Sequence, residues 1–197
     1  MLSSSIIPPN ELYLLKSVGV EGKHVLEFGN KRNKHGVYRD WYMENGAASY
    51  TSVDWNGEDG ALSLDVRTPL IEQCPIMRTQ YDLVTNFGFS EHVEGIQGQK
   101  ALFKNIHELC AVGGVMIHMA PLVDHWVGHP GMVYSYTERF LWMLGLHNDY
   151  YILSAGIDQT QGDGRHMVYA VYRKDAATPD AFDWFDSAYE VVACLSR

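Results

Sequence analysis

Four short apolar runs in this chain close on residues able to hold a small polar ligand. These are Glu27 and Gly29 in VLEFGN, Asp54 in YTSVDWNG, Asp65 in LSLDV, and Asn86 with Gly88 in YDLVTNFGF. A carboxylate placed like that of Asp54 can accept two hydrogen bonds from ribose hydroxyls, and such charge-assisted bonds are stronger than neutral ones. Glu27 has the charge to hold a ligand ammonium, directly or through water, and Gly29 lets the chain turn and a ligand approach its backbone. Asp65 can accept from the exocyclic amine of a base. A second set of residues suits proton transfer. His92 follows the fourth run, and His125 and His129 lie between Pro121 and Tyr136 with Asp124, Trp126 and Tyr134. A neutral imidazole can take a proton from a hydroxyl or an amine.

Residues with these roles need rigid supports, and the apolar pattern predicts them. Pro8, Pro9 and Asn10 open a short amphipathic helix with Leu12, Leu15 and Val18 on one face. Val25, Leu26 and Phe28 make a first buried strand that ends at Gly29. Val37, Trp41 and Tyr42 predict a helix over residues 36–45, stopped by Gly46. A second strand ends at Asp54, ALSLDV reads as a third, and YDLVTNFGF as a fourth built on Leu83 and Val84. Leu102, Ile106 and Leu109 predict a helix over residues 95–111 that Gly113 and Gly114 end, and VMIHMA follows as a fifth strand. A helix from Thr137 to Leu144, the strand YYILSAGI, a turn at QGDG, the strand HMVYAVYRK and a C-terminal helix complete the chain. No helix separates the last two strands, so they should pair antiparallel. Strands otherwise alternate with helices, which predicts an α/β fold. Its expected form is a three-layer Rossmann-like sandwich around a mostly parallel seven-stranded sheet with an antiparallel C-terminal edge pair.

The chain has 197 residues, which suits one domain, and its 46 % hydrophobic and 20 % charged residues are in the usual balance of a packed globular protein. Its formal net charge is -9 and no basic run stands out, which argues against nucleic acid as a partner. Cys74, Cys110 and Cys194 are odd in number and widely separated, a pattern that fits neither a disulfide framework nor a Cys-x-x-Cys metal pair and points to a reducing compartment. His118, Asp124, His125 and His129 match no zinc spacing, so no metal is expected. No run approaches the roughly 18 to 20 apolar residues of a membrane span, and the N-terminus lacks the pattern of a secretory leader. A cytoplasmic location is the expectation.

The ordered set VLEFGN, YTSVDWNG, LSLDV, YDLVTNFGFSEHV and GGVMIHMAP resembles the class I S-adenosylmethionine-dependent methyltransferases. The resemblance covers residues 22–173 of what is expected to be a single domain over residues 1–197. It implies a cofactor lying over the strand ends, with its methionine part near Glu27, Gly29 and Asn86 and beside Phe28, Asn30 and Phe87. The ribose then falls on Asp54, and the adenine lies by Trp55, Asp65 and Val66. The implied reaction transfers a methyl group from S-adenosylmethionine to an oxygen, nitrogen or carbon of a small or medium-sized acceptor, leaving S-adenosylhomocysteine. The acceptor is expected between the segment after the fourth strand and the loop after the fifth, with one of His92, His125 and His129 as general base.

One loop departs from the pattern. The family's first loop reads acidic-x-Gly-x-Gly-x-Gly, whereas Gly29 is followed by Asn30, Lys31, Arg32 and Asn33. The missing glycines count against a nicotinamide dinucleotide, whose pyrophosphate needs a Gly-x-Gly-x-x-Gly turn at a helix N-terminus. They also leave room for a catalytically silent domain that keeps the fold as a cofactor sensor or partner-binding scaffold. Lys31 and Arg32 read as a solvated pair or as a contact for an anionic part of a ligand. Asn86-Phe87-Gly88-Phe89 lacks the double proline of the amino-methylating nucleic-acid enzymes.

Overall fold

A computed structural model describes residues 7–33, 35–78, 80–125, 131–159, 164–175 and 182–186. In chain order the main elements are α1 (Pro9–Val18), β1 (His24–Phe28), α2 (Tyr38–Glu44), β2 (Ser49–Asp54), β3 (Leu62–Ser63), β4 (Tyr81–Phe87), α3 (Ile96–Leu109), β5 (Cys110–Pro121), α4 (Glu138–His147), β6 (Tyr151–Asp158) and β7 (Met167–Arg173).

The strands form one sheet in the order β3-β2-β1-β4-β5-β7-β6. The pairs from β3 to β5 are parallel, and β7 runs antiparallel to both β5 and β6. The Rossmann-like sandwich expected from the sequence is therefore present, with the hairpin formed by β6 and β7 closing one side. Alternating side chains divide the interior into two layers. Val25, Leu83, Phe87 and Ile117 pack with Leu14 and Leu15 of α1 and with Tyr38 and Tyr42 of α2. Leu26, Phe28, Val84 and Met116 face Leu102, Phe103 and Ile106 of α3 and Phe140 and Leu144 of α4. Burial on both faces is why these strands read as continuous apolar runs.

Several boundaries differ from the sequence expectation, each for a local reason. The third strand is reduced to Leu62–Ser63. At Asp65 the chain turns out of the sheet, with the Asp65 carboxylate accepting from the Arg67 N–H at 2.9 Å and its carbonyl accepting from the Thr68 N–H at 3.2 Å. The helix before β5 stops at Leu109, and Gly113 and Gly114 lie inside β5. A Cβ on Gly114 would meet the Tyr81 carbonyl oxygen at 3.0 Å, so this glycine serves close strand contact and not a helix cap. Thr137 lies outside α4 as its N-cap, its hydroxyl accepting from the Phe140 N–H at 3.1 Å, a contact of about 1 kcal/mol. Most of the expected C-terminal helix and of the QGDG turn lies outside the described residues. No helix among the described residues is long and apolar enough to cross a membrane.

Candidate functional site

Register brings the strand ends level: Phe28 lies opposite Val53 and Asn86, and Asn86 opposite His118. From β1 the chain proceeds outward through β2 and β3, whereas from β4 it proceeds the other way through β5. This reversal opens a crevice between the carboxyl ends of β1 and β4, where open α/β sheets bind ligands.

Gly29 begins the loop on one side of the crevice. Its φ of +88° lies in the left-handed region, its N–H donates to the Val53 carbonyl at 2.9 Å, and a Cβ there would come within 3.0 Å of Phe89 Cδ2. Asp54 ties this loop to the end of β2. Its carboxylate accepts from the Asn30 N–H at 3.2 Å through one oxygen and from the Asn56 N–H at 3.3 Å through the other. A carboxylate offers about four acceptor positions, so capacity remains for ligand hydroxyls. Trp55, the next residue, is 81 % exposed.

A cleft of about 760 Å³ extends from this point, lined among others by Trp55, Asp65, Val66, Phe89 and His92. The Asp65 carboxylate is engaged by Arg67, with both Nε and Nη2 at 2.9 Å, and these hydrogen bonds hold its pKa below the ordinary range. Any exocyclic amine placed here shares the carboxylate with Arg67. A smaller hollow of about 370 Å³ lies along the outer edge of β2 by Arg39, Ser49 and Ile76, away from the strand ends.

The three candidate bases have separate fates. His92 lines the cleft, and its Nδ1 lies 2.8 Å from the Gly131 carbonyl oxygen. A carbonyl only accepts, so in the neutral ring Nδ1 carries the proton and Nε2 has the lone pair. His125 stacks on His166 with ring centroids 4.1 Å apart and is not among the residues lining the cleft. His129 lies outside the described residues. Tyr134 and Tyr136 are buried in the core, where the Tyr136 hydroxyl donates to Gln99 at 2.6 Å. Of the expected acceptor wall, Gly131 reaches the cleft.

Asn86 has an architectural environment. Its Oδ1 accepts from the Ser90 N–H at 3.1 Å, and its Nδ2 donates to His118 Nδ1 at 3.2 Å. Burial pushes His118 down to about 3, keeping the ring neutral and able to accept. Phe28 and Phe87 are fully buried on opposite faces of the sheet, whereas Val66 lines the cleft.

Glu27 is fully buried toward α1 and α2, and its Oε2 accepts from the Tyr50 hydroxyl. Burial pushes the carboxyl up to about 8, against the opposing effects of the Tyr50 hydrogen bond and the Lys31 charge. An ordinary carboxyl titrates near 4.5, so between these two values the native chain holds a proton that the unfolded chain releases. Its stabilising contribution is fully present below about 4.5 and is lost as pH rises through about 8. Glu27→Gln, which mimics the neutral acid, should flatten this dependence. Denaturant unfolding at about pH 5 and about pH 9 should show wild type losing more stability than the variant. Equal losses would mean that Glu27 holds no such proton.

Sequence reasoning missed Tyr50, Phe89 and Arg67. It also read Lys31 with Arg32 as a solvated pair or as a contact for an anionic part of a ligand. Arg32 meets Asp59 at 2.8 Å, while the Lys31 side chain is 28 % exposed and turns inward toward Glu11. The missing glycines were the signal that this loop differs.

No sequence-family model and no curated protein matches the chain. Solved structures do. One is 1,6-didemethyltoxoflavin-N1-methyltransferase from Burkholderia thailandensis, solved with 1,6-didemethyltoxoflavin and S-adenosylhomocysteine. It aligns with a TM-score of 0.62 and 18 % identity over 89 % of this chain and 80 % of that one. TehB from Haemophilus influenzae gives 0.61 and 14 % over 88 % of this chain, which spans 64 % of that protein. The N-methyltransferase NodS from Bradyrhizobium japonicum gives 0.59 and 13 %, over 85 % and 93 % of the two chains. The chain therefore has the Rossmann-like fold of the class I S-adenosylmethionine-dependent methyltransferases.

Proposed function

We propose that this chain is an S-adenosylmethionine-dependent methyltransferase acting on a small or medium-sized acceptor. The observation that carries the reading is the cleft beyond the strand ends, where Trp55, Asp65, Val66 and His92 converge beside Asp54. The residues fit the cofactor. Asp54 retains acceptor capacity for ribose hydroxyls, the Trp55 and Phe89 rings offer apolar faces to a base, and the buried Glu27 Oε1 has no hydrogen-bond partner among the described residues. S-adenosylmethionine bound there supplies a methyl group on a sulfonium sulfur. The chain itself aligns the acceptor, and His92 Nε2 takes the proton that an oxygen or nitrogen acceptor must lose. The fold neighbour solved with 1,6-didemethyltoxoflavin supports this acceptor class, and the net charge of -9 weighs against nucleic acid. A reducing cytoplasm remains the location suggested by the cysteine pattern.

S-adenosylhomocysteine should raise the melting temperature by selective binding to the native chain. Incubation with S-adenosylmethionine and a panel of small amines, phenols and carboxylates should yield S-adenosylhomocysteine. Stabilisation without turnover across the panel would instead favour the catalytically silent reading, which draws support from Phe89 and Lys31 lying across the crevice.

A further inference from the structure

Two of the chain's own side chains occupy the crevice between β1 and β4. Phe89 lies over Gly29, and Lys31 lies over Gly88: a Cβ on Gly88 would be 3.0 Å from Lys31 Nζ and 3.2 Å from Glu91 Oε1. Three carboxyl groups from separate segments interact electrostatically around this ammonium. Glu11 of α1 is 8 % exposed, Glu27 at the end of β1 is 0 % exposed, and Glu91 after β4 is 5 % exposed. Glu11 Oε2, Glu27 Oε1 and Glu91 Oε2 have no hydrogen-bond partner among the described residues. Lys31 Nζ approaches Glu11 Oε1 at 4.0 Å, beyond hydrogen-bond length.

Buried carboxyl oxygens left without partners are costly, and one cation that touches none of them closely compensates only in part. A compact group with a positive charge and several N–H donors suits such a cluster best, which describes a primary ammonium. We propose that Lys31 is a built-in competitor for a ligand's ammonium. In the free chain its Nζ stands among the carboxyl groups of Glu11, Glu27 and Glu91, and the ammonium at the amino-acid end of the cofactor displaces it toward solvent. This inference rests on the cofactor reading above.

Displacement follows from position. Nζ lies over Gly88, in the crevice that a ligand must enter, so ligand and lysine compete for one volume. Lys31 stands where the resembled family has its second loop glycine, so here a side chain takes space that glycine leaves open. Its partial exposure on a loop lets it swing to water without disturbing the core, and two ammonium groups in one small site repel each other.

Calorimetry can compare S-adenosylhomocysteine with 5′-methylthioadenosine, which shares the adenosine and thioether but lacks the amino-acid end. Lys31→Met should tighten S-adenosylhomocysteine binding by about tenfold, the scale of one charge contact at a partly exposed site. It should leave 5′-methylthioadenosine unchanged, and Lys31→Arg should behave as wild type. In wild type, which needs no altered chain to fold, amine-reactive labelling read by mass spectrometry should find Lys31 more reactive with S-adenosylhomocysteine bound. Unchanged or weaker S-adenosylhomocysteine binding by Lys31→Met, with 5′-methylthioadenosine still bound, would overturn the proposal alone. So would labelling that falls on binding, because Lys31 would then be holding the ligand's carboxylate. Binding of neither compound to wild type or variants would overturn the cofactor reading and this inference with it.

Discussion

His92→Ala is expected to lower methyl transfer to an oxygen or nitrogen acceptor by about a hundredfold or more while leaving cofactor affinity unchanged, the usual contribution of a positioned general base. The Gly131 carbonyl fixes Nδ1 as the protonated nitrogen, so the basic Nε2 is available in a ring that lines the cleft. His125, by contrast, is stacked against His166, with its Nδ1 3.3 Å from the Gly164 carbonyl. Steady-state kinetics on wild type and variant, with cofactor binding measured separately, check both expectations. Retained turnover in the variant would assign His92 to shaping the pocket.

Asp54→Ala should weaken S-adenosylhomocysteine binding by about 1.5 to 3 kcal/mol, the range for hydrogen bonds to a charged acceptor. This corresponds to roughly ten- to a hundredfold in affinity. Asp54 also accepts from the Asn30 and Asn56 N–H groups, so alanine would loosen two loops as well as remove a ribose contact. A ligand lacking the ribose 2′-hydroxyl separates the effects. It should bind wild type more weakly than the full ligand, whereas Asp54→Ala should hardly distinguish the two. An equal penalty in both proteins would place the ribose elsewhere and leave Asp54 with its loop-bracing role.

The sheet was legible because its strands are buried on both faces. Val25 and Leu26, and likewise Leu83 and Val84, are apolar neighbours that point into different layers. The acids at the strand ends were legible for the same reason, since each interrupts an apolar run. The facing of a side chain was not. Asn86 has the right position for a ligand contact, yet its amide holds Ser90 and His118, a choice made by strands distant in sequence. Glu91 and Glu11 are separated by 80 positions and meet Lys31 only because α1 folds back near the β4 end. The third strand was overextended because ALSLDV has strand-like composition, while the bonds between Asp65 and Arg67 bend the chain away. His125 shares its loop with a cleft residue, but stacking on His166 gives it a different environment.

The ends of β1, β2 and β4 are proposed to form the cofactor site. A crystal structure of the full chain grown with S-adenosylhomocysteine tests this most directly. The ribose hydroxyls should lie within hydrogen-bond distance of Asp54, and the adenine should lie in the cleft beside Trp55, Asp65 and Val66. The amino-acid end should lie near Glu27, with Lys31 moved off Gly88. A ligand bound away from the strand ends, or none bound at millimolar concentration, would contradict the account.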